Sequence, residues 1–400
     1  MIPPAIGKQF SSALNARLIE LRRAIHREPE LAFQEAKTAD RLIDALRAVG
    51  VRQIDLVGKT GIVARVPGTG AGDAARSATV AVRGDIDALP IQEATGLPFA
   101  STVPGVMHAC GHDVHATWAV GAAALLAASP AAGESVIILQ PAEETGKGAL
   151  AIIESGALDG VRAIFGGHVD RRFEVGQVVA DEGPLAASAD VFEIELIGTG
   201  AHAARPHESR DPIVALAGVI SALQTIVARR LNPATPGVVT IGAVQAGTAP
   251  NIIPDRARLQ GTVRAVEPRS REMMLEEVRR VTEAIASGFG VEAHVTIEHG
   301  PPPIVNPAMP TTWARKAASS LLGDEQVVPL GFLNLAGEDF AHYMERIPGC
   351  FLRIGAREAG GPLIPAHAPT FQAAEESIFV GAAVLAECAR VASRSLSESA

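Results

Sequence analysis

Seven consecutive residues, Met107 to Asp113 (MHACGHD), gather a thiol, two imidazoles and a carboxylate around one glycine, in a chain of 400 residues that holds only three Cys and 11 His. Cys110 and His112 are two apart, so in an extended segment they project from one side and can reach one ion. A thiolate beside an imidazole suits zinc or a similar transition ion. Taken alone, the cluster is equally compatible with packing and capping near a turn.

Other segments offer matching chemistry. Glu143 and Glu144 follow the apolar run SVIILQ and Pro141. Successive strand residues point to opposite faces, so the two carboxylates can share a site only where the chain leaves the strand. One could then bind metal while its neighbour acts as general base; a solvated acidic turn is the alternative. Asp85 and Asp87 end the run ATVAVRGDI, where they could also cap a turn. His168 ends IFGGH, and His367 lies between prolines in IPAHAP. Each alone is unremarkable, but four strand ends would all deliver metal-type or acid–base residues. Open α/β sheets place their sites at such ends. Further along, His202 in GTGAHAA, Asn251 in APNIIPD and Arg264 in GTVRA offer an imidazole, an amide and a guanidinium suited to an oxyanion or a carboxylate. A backbone partner, a turn residue and a surface cation are their ordinary alternatives.

The elements that must carry these groups follow an α/β pattern. Apolar positions at helical spacing (Leu14, Leu18, Leu21, then Ala39, Leu42, Leu46) predict two helices joined at Pro29. Strands are expected at 61–66, 78–86 and 135–140, with a helix over 114–128. Between about 190 and 298 the order becomes β-α-β-β-α-β, that of a ferredoxin-like unit able to close on its own. A final helix is expected near 375–393, followed by a frayed tail, SRSLSESA.

With 48% hydrophobic and 20% charged residues the chain can build a large core, and a net charge of −9 argues against a nucleic-acid or anionic membrane partner. The apolar helical stretch Trp118–Ala128 is about half of what a bilayer needs. The N-terminus shows no basic stretch followed by an apolar core, so a soluble cytoplasmic location is expected. Cys350 and Cys388 sit in apolar surroundings and read as inert buried thiols.

The motifs RGDIDALP, MHACGHDVH, QPAEETGKGA, GTGAHAARPHESRDP, TAPNIIPD, GTVRA and GEDFAHY, in this order, together with LRRAIHREPELAFQE at 21–35, resemble the amidohydrolase branch of the aminoacylase and carboxypeptidase metallopeptidase family. That branch includes N-acyl-amino-acid amidohydrolases, hippurate hydrolases and plant auxin-conjugate hydrolases. The resemblance implies a mixed-sheet α/β catalytic domain covered by helices (1–188 and 299–400), with an inserted ferredoxin-like α+β domain (189–298) that acts as lid and dimerisation element. It implies Cys110, His112, Glu144, His168 and His367 as metal ligands, Glu143 as general base, and Asp87 as the aspartate that orients a ligand or tunes the base. His202 matches an oxyanion donor that acts across a dimer interface. Asn251 and Arg264 match substrate-binding positions, while Asp113, Glu338 and Asp339 match supporting ones.

The expected activity is metal-dependent hydrolysis of the amide bond of an N-acyl amino acid or related small amide, with Glu143 acting on a metal-bound water. Two divalent ions per subunit, of zinc, manganese, nickel or cobalt, and a homodimer or homotetramer are implied. The alternatives are a dipeptide, a non-peptide amide or aromatic amine on the same site, or a Cys110 nucleophile with His112 as its base. Several positions depart from the family pattern. Thr145 and Lys147 follow the Glu pair, Ala201 precedes His202, and Asp170 and Arg171 follow His168 where many relatives carry bulky apolar residues. These loops are expected to border the substrate pocket.

Overall fold

The structure is a computed structural model that describes residues 2–399. It divides into two compact units. The first comprises the chain up to Gly183, Asn306–Phe332 and the chain from His342 onward, and the second comprises Pro184–Val305 and Leu333–Ala341.

The first unit begins with helices α1 (Ser12–Arg27) and α2 (Ala36–Ala48). Ser11 caps α1 by accepting the Leu14 N–H. Strands β1 (Gln53–Val57), β2 (Gly61–Val66) and β3 (Val80–Asp85) lead to helix α3 (His112–Ala128), strand β4 (Ser135–Gln140), helix α4 (Gly148–Glu154), and strands β5 (Ala163–Glu174) and β6 (Val178–Val179).

The chain then enters the second unit: strand β7 (Asp190–Ile197), helix α5 (Pro212–Thr225), strands β8 (Gly237–Ala246) and β9 (Arg256–Ala265), helix α6 (Pro268–Gly288) and strand β10 (Glu292–Glu298). It returns through α7 (Ala308–Leu322), β11 (Gly349–Arg357) and α8 (Glu376–Glu398).

The large sheet has the order β1-β2-β4-β3-β5-β11-β6. Strands β4, β3, β5 and β11 run parallel, while β1, β2 and β6 join antiparallel, so the sheet is mixed. Strands β3 and β4 are buried along their whole length, which is why their apolar stretches, VAV and VIIL, are continuous rather than alternating. Helix α3 is buried through its first four turns, in keeping with a sequence apolar all round. The final helix α8 continues to Glu398, so the tail expected to fray is helical through that residue. Ser393 anchors it, donating to the Ala78 carbonyl and accepting the Gly133 N–H.

The second unit has the sheet order β8-β9-β7-β10, all neighbours antiparallel. Side chains alternate buried and accessible along β7 and β9, and α5 and α6 pack on the buried face. Asp211 caps α5 through the Ile213 and Val214 N–H groups, with Pro212 in the first turn. The segment Pro212–Arg230 is long and apolar enough to cross a membrane by length and composition, more so than the Trp118–Ala128 stretch singled out by sequence. A third of it is buried on the unit's own core. Residues 333–341 group with this unit rather than the first, because the Ala336 carbonyl accepts the Ala187 N–H.

Helices α3 and α8 approach closely because glycines face them: a Cβ on Gly381 would overlap the Trp118 indole, and one on Gly121 would meet the Ala382 Cβ. Gly→Ala at an exposed helix position gains about 1 kcal/mol. Here overpacking reverses the sign, and Gly381→Ala should cost about 1–3 kcal/mol. Chemical denaturation checks this; unchanged or raised stability would contradict the packing described.

Candidate active site

The chain between β3 and α3 brings Asp85, Asp87, Cys110 and His112 together. Asp85 is the last residue of β3. Cys110 and His112 do not lie in an extended segment, as the two-residue spacing suggested. Gly111 has φ +90° and His112 is the first residue of α3. A side chain at Gly111 would strike Val169 as well as adopting a disfavoured backbone conformation. The turn thus directs both side chains to one place by a different route.

The glutamate pair is brought round by a second turn. Ala142 adopts φ +53°, Glu143–Thr145 form one turn of 3₁₀ helix, and Gly146 follows at φ +68°. Asp87 Oδ1 accepts the Glu143 N–H and Oδ2 the Glu144 N–H, both at 3.1 Å. The buried Glu35 accepts the Ala142 N–H at 3.0 Å. The adjacent carboxylates therefore face one way.

His168 lies within the twelve-residue β5 rather than at a strand end. On one side, though, β3 pairs only as far as Val82 with Phe165, so His168 stands beyond that ladder. His367 sits on an irregular segment at φ +66°, where its N–H donates to the Ala109 carbonyl at 2.8 Å.

Within this first unit the donor atoms converge. Cys110 Sγ is 3.2 Å from His168 Nε2. Glu144 Oε1 lies 3.5 Å from His367 Nε2 and 3.9 Å from His112 Nε2, and Glu143 Oε2 is also 3.9 Å from His112 Nε2. Cys110, His112 and His168 form one potential chelating group, and Cys110, Glu144 and His367 another. Donors held tetrahedrally at zinc distances are separated by roughly 3.3–3.8 Å, and the spacings here, from 3.2 to 3.9 Å, bracket that range. The buried His112 Nε2 has no hydrogen-bond partner. Its Nδ1 is 3.0 Å from the Asp87 carbonyl and 3.2 Å from Asp87 Oδ1, which in the neutral ring places the proton on Nδ1 and leaves Nε2 a lone pair. A divalent cation fits this donor set.

A further group was missed by sequence reasoning. His115 Nδ1 is 2.6 Å from Asp85 Oδ1, and its Nε2 accepts the Val169 N–H at 3.0 Å. Its signal was present in HDVH, since His112 and His115 are three apart and share a helix face. Asp85 also pairs with the buried Arg83. Asp113 holds Arg22 Nε at 2.6 Å and His26 Nδ1 at 2.8 Å.

The remaining sequence candidates lie in the second unit. His202 pairs with Ile252 across two short strands, and the Asn251 carbonyl accepts the Ala203 N–H, so these two are neighbours there. Arg264 is half-buried on β9. Glu338 accepts the Phe340 N–H, and Asp339 follows it in the same segment.

Burial, together with the nearby Glu144 carboxylate, pushes the Cys110 thiol up to about 12. Burial opposes charge on His112, yet the Asp85 carboxylate and the Asp87 hydrogen bond hold its pKa well above the usual imidazole range. Burial, with the neighbouring His115 and Arg353, holds His168 well below that range. The thiol is therefore protonated at neutral pH, which does not suit an unassisted nucleophile. Cys350 is likewise buried, its thiol pushed up to about 12.

Residues 81–391 match the sequence profile of peptidase family M20/M25/M40. The chain belongs to this family. It is 41% identical to the N-acetylcysteine deacetylase of Bacillus subtilis (strain 168) over 94% of this chain and 97% of that protein. It is 38% identical to the IAA-amino acid hydrolase ILR1-like 4 of Arabidopsis thaliana, over 93% of this chain and 84% of that one. Among solved structures, the YXEP protein of Bacillus subtilis, described as a dinuclear metal binding peptidase of the M20 family, superposes with a TM-score of 0.80 at 38% identity, covering 95% and 99% of the two chains.

In this M20 chain Cys110, as a ligand, would have to lose its proton when a cation binds at neutral pH, and affinity should then rise as pH rises. Calorimetric titration of metal-free protein with Zn²⁺, in buffers of different ionisation enthalpy, should detect proton release. Cys110→Ser should release less. Equal release from the two proteins would remove Cys110 from the donor set.

Proposed function

We propose that this chain is a metal-dependent amidohydrolase that cleaves the amide bond of small N-acyl amino acids, with Glu143 as general base. The observation that carries this reading is the turn at Ala142–Gly146. It presents two adjacent carboxylates to a place where Cys110, His112, His168 and His367 also direct their side chains. The names of two relatives, one a deacetylase of N-acetylcysteine and one a hydrolase of an amino-acid conjugate, support the substrate class.

Cys110, His112, Glu144, His168 and His367 would hold the metal. Such an ion, when bound, supplies Lewis acidity at the scissile carbonyl and favours ionisation of a water. Glu143 takes a proton from the attacking water and delivers it to the leaving nitrogen. Asp87 fixes the direction of both glutamates and the tautomer of His112.

We assign His202 the role of donor to the developing oxyanion. The Ala204 N–H donates to His202 Nδ1 at 3.0 Å, so the neutral ring carries its proton on Nε2 and can give a hydrogen bond from there. Asn251 and Arg264 are assigned to the substrate's carbonyl and carboxylate. Assembly as a homodimer or homotetramer through the second unit, in the cytoplasm, belongs to the same reading.

Glu143→Gln should retain metal, measured by elemental analysis, while kcat on N-acetyl amino acids falls by about 10²–10⁴-fold. Activity within tenfold of the unaltered enzyme would reject Glu143 as the base. A chelator should abolish turnover reversibly, whereas chelator-resistant, alkylation-sensitive turnover would indicate a Cys110 nucleophile.

A further inference from the structure

We propose that Arg171 is a positioning residue that fixes the loop carrying His367. Arg171 stands three residues beyond His168 on β5, and strand alternation turns it to the opposite face. It is buried, 4% exposed.

Its guanidinium donates Nη1 to the Gln372 carbonyl at 2.7 Å and Nη2 to the Pro362 carbonyl at 2.9 Å. Nη2 also reaches Glu358 Oε2 at 2.9 Å, and Nη1 makes a longer contact of 3.4 Å with the Ala356 carbonyl. Pro362 and Gln372 each stand five residues from His367 in the sequence. One planar fork therefore ties the entry of the loop to its exit, with the imidazole midway between.

The loop needs such a tie. Between β11 and α8 it has neither helix nor strand, and Pro362, Pro365 and Pro369 bring no N–H donors. Its tip is held by the His367 N–H on the Ala109 carbonyl and by the Pro369 carbonyl under the Ala94 N–H. His367 itself occupies the left-handed region that L residues avoid. A loop released at both flanks would relax that conformation and carry Nε2 away from Glu144. The dependence is mutual, because a buried guanidinium without acceptors is costly and the loop carbonyls supply them. Lysine, with one compact ammonium, could not span both flanks.

The proposal rests on the reading of His367 as a ligand, and the test separates the two. Metal-free protein is titrated with Zn²⁺ or Co²⁺ by calorimetry, and hydrogen exchange is followed over residues 363–371 in the metal-free state. Arg171→Met should weaken a metal-binding step by about 10–100-fold and speed exchange in that loop, while circular dichroism remains native. Arg171→Lys should restore only part of either. The double variant with His367→Ala should bind no more weakly than His367→Ala alone.

Unchanged affinity and exchange in Arg171→Met, or losses that multiply in the double variant, would overturn the proposal. If His367→Ala leaves metal affinity intact, His367 is not a ligand; exchange in the metal-free loop still judges the clamp. Should Arg171→Met not fold, Glu358→Gln, at a carboxylate 49% exposed, should loosen the same loop to a smaller degree. No loosening there would count against the clamp.

Discussion

The Asp87 carboxylate is the constraint on which the site depends. A pair of adjacent glutamates cannot serve one centre from a regular strand, because their side chains would leave on opposite faces. The chain solves this by quitting the β conformation at Ala142, at a cost of roughly 1–2 kcal/mol for a non-glycine residue in the left-handed region. Asp87 accepts two successive backbone N–H groups with its two oxygens, and Glu35 accepts the N–H before them. Hydrogen bonds to charged acceptors contribute about 1.5–3 kcal/mol each, enough to offset the backbone strain. The same Asp87 stands against His112 Nδ1, so one side chain governs the direction of the proposed base and of two proposed ligands.

A parallel device fixes His168. Arg83 pairs with Asp85, Asp85 accepts the proton of His115 Nδ1, and His115 Nε2 accepts the Val169 N–H. The Val169 carbonyl in turn lies 2.7 Å from His168 Nδ1. Val169 is thus gripped at both its amide and its carbonyl, and His168, like His112, has its Nδ1 committed. Both rings are left with Nε2 facing the other donors. Buried polar networks of this kind are stable only when every member is satisfied, which ties the orientation of the proposed ligands to the integrity of the sheet beneath them.

The α/β pattern, the β-α-β-β-α-β order of the second unit and the residues that converge in the first could be read from the sequence, because each leaves a local signature. Strands β3 and β4 read as apolar runs, and HACGHD and AEE stand next to turn residues. What could not be read is what holds those groups from afar. Glu35 lies 107 residues from Ala142, and Arg171 lies 191 from Pro362. A lone buried Glu or Arg in sequence looks like any surface charge until its acceptors or donors are placed. His168 is expected at a strand end because it closes the apolar run IFGGH; the strand continues because β11 pairs with it well beyond that point.

Charge decides how such a site survives folding before a cation arrives. Bringing Glu143, Glu144 and a thiolate together would bury repelling anions. In this structure burial keeps the Cys110 thiol protonated, and the Asp85 carboxylate, against the cost of burial, raises the proton affinity of His112. The Cys110 proton therefore removes one of the repelling charges. The sheet and its turns arrange these side chains, and binding of a cation at the proposed ligands would exchange it for that proton within a framework already formed.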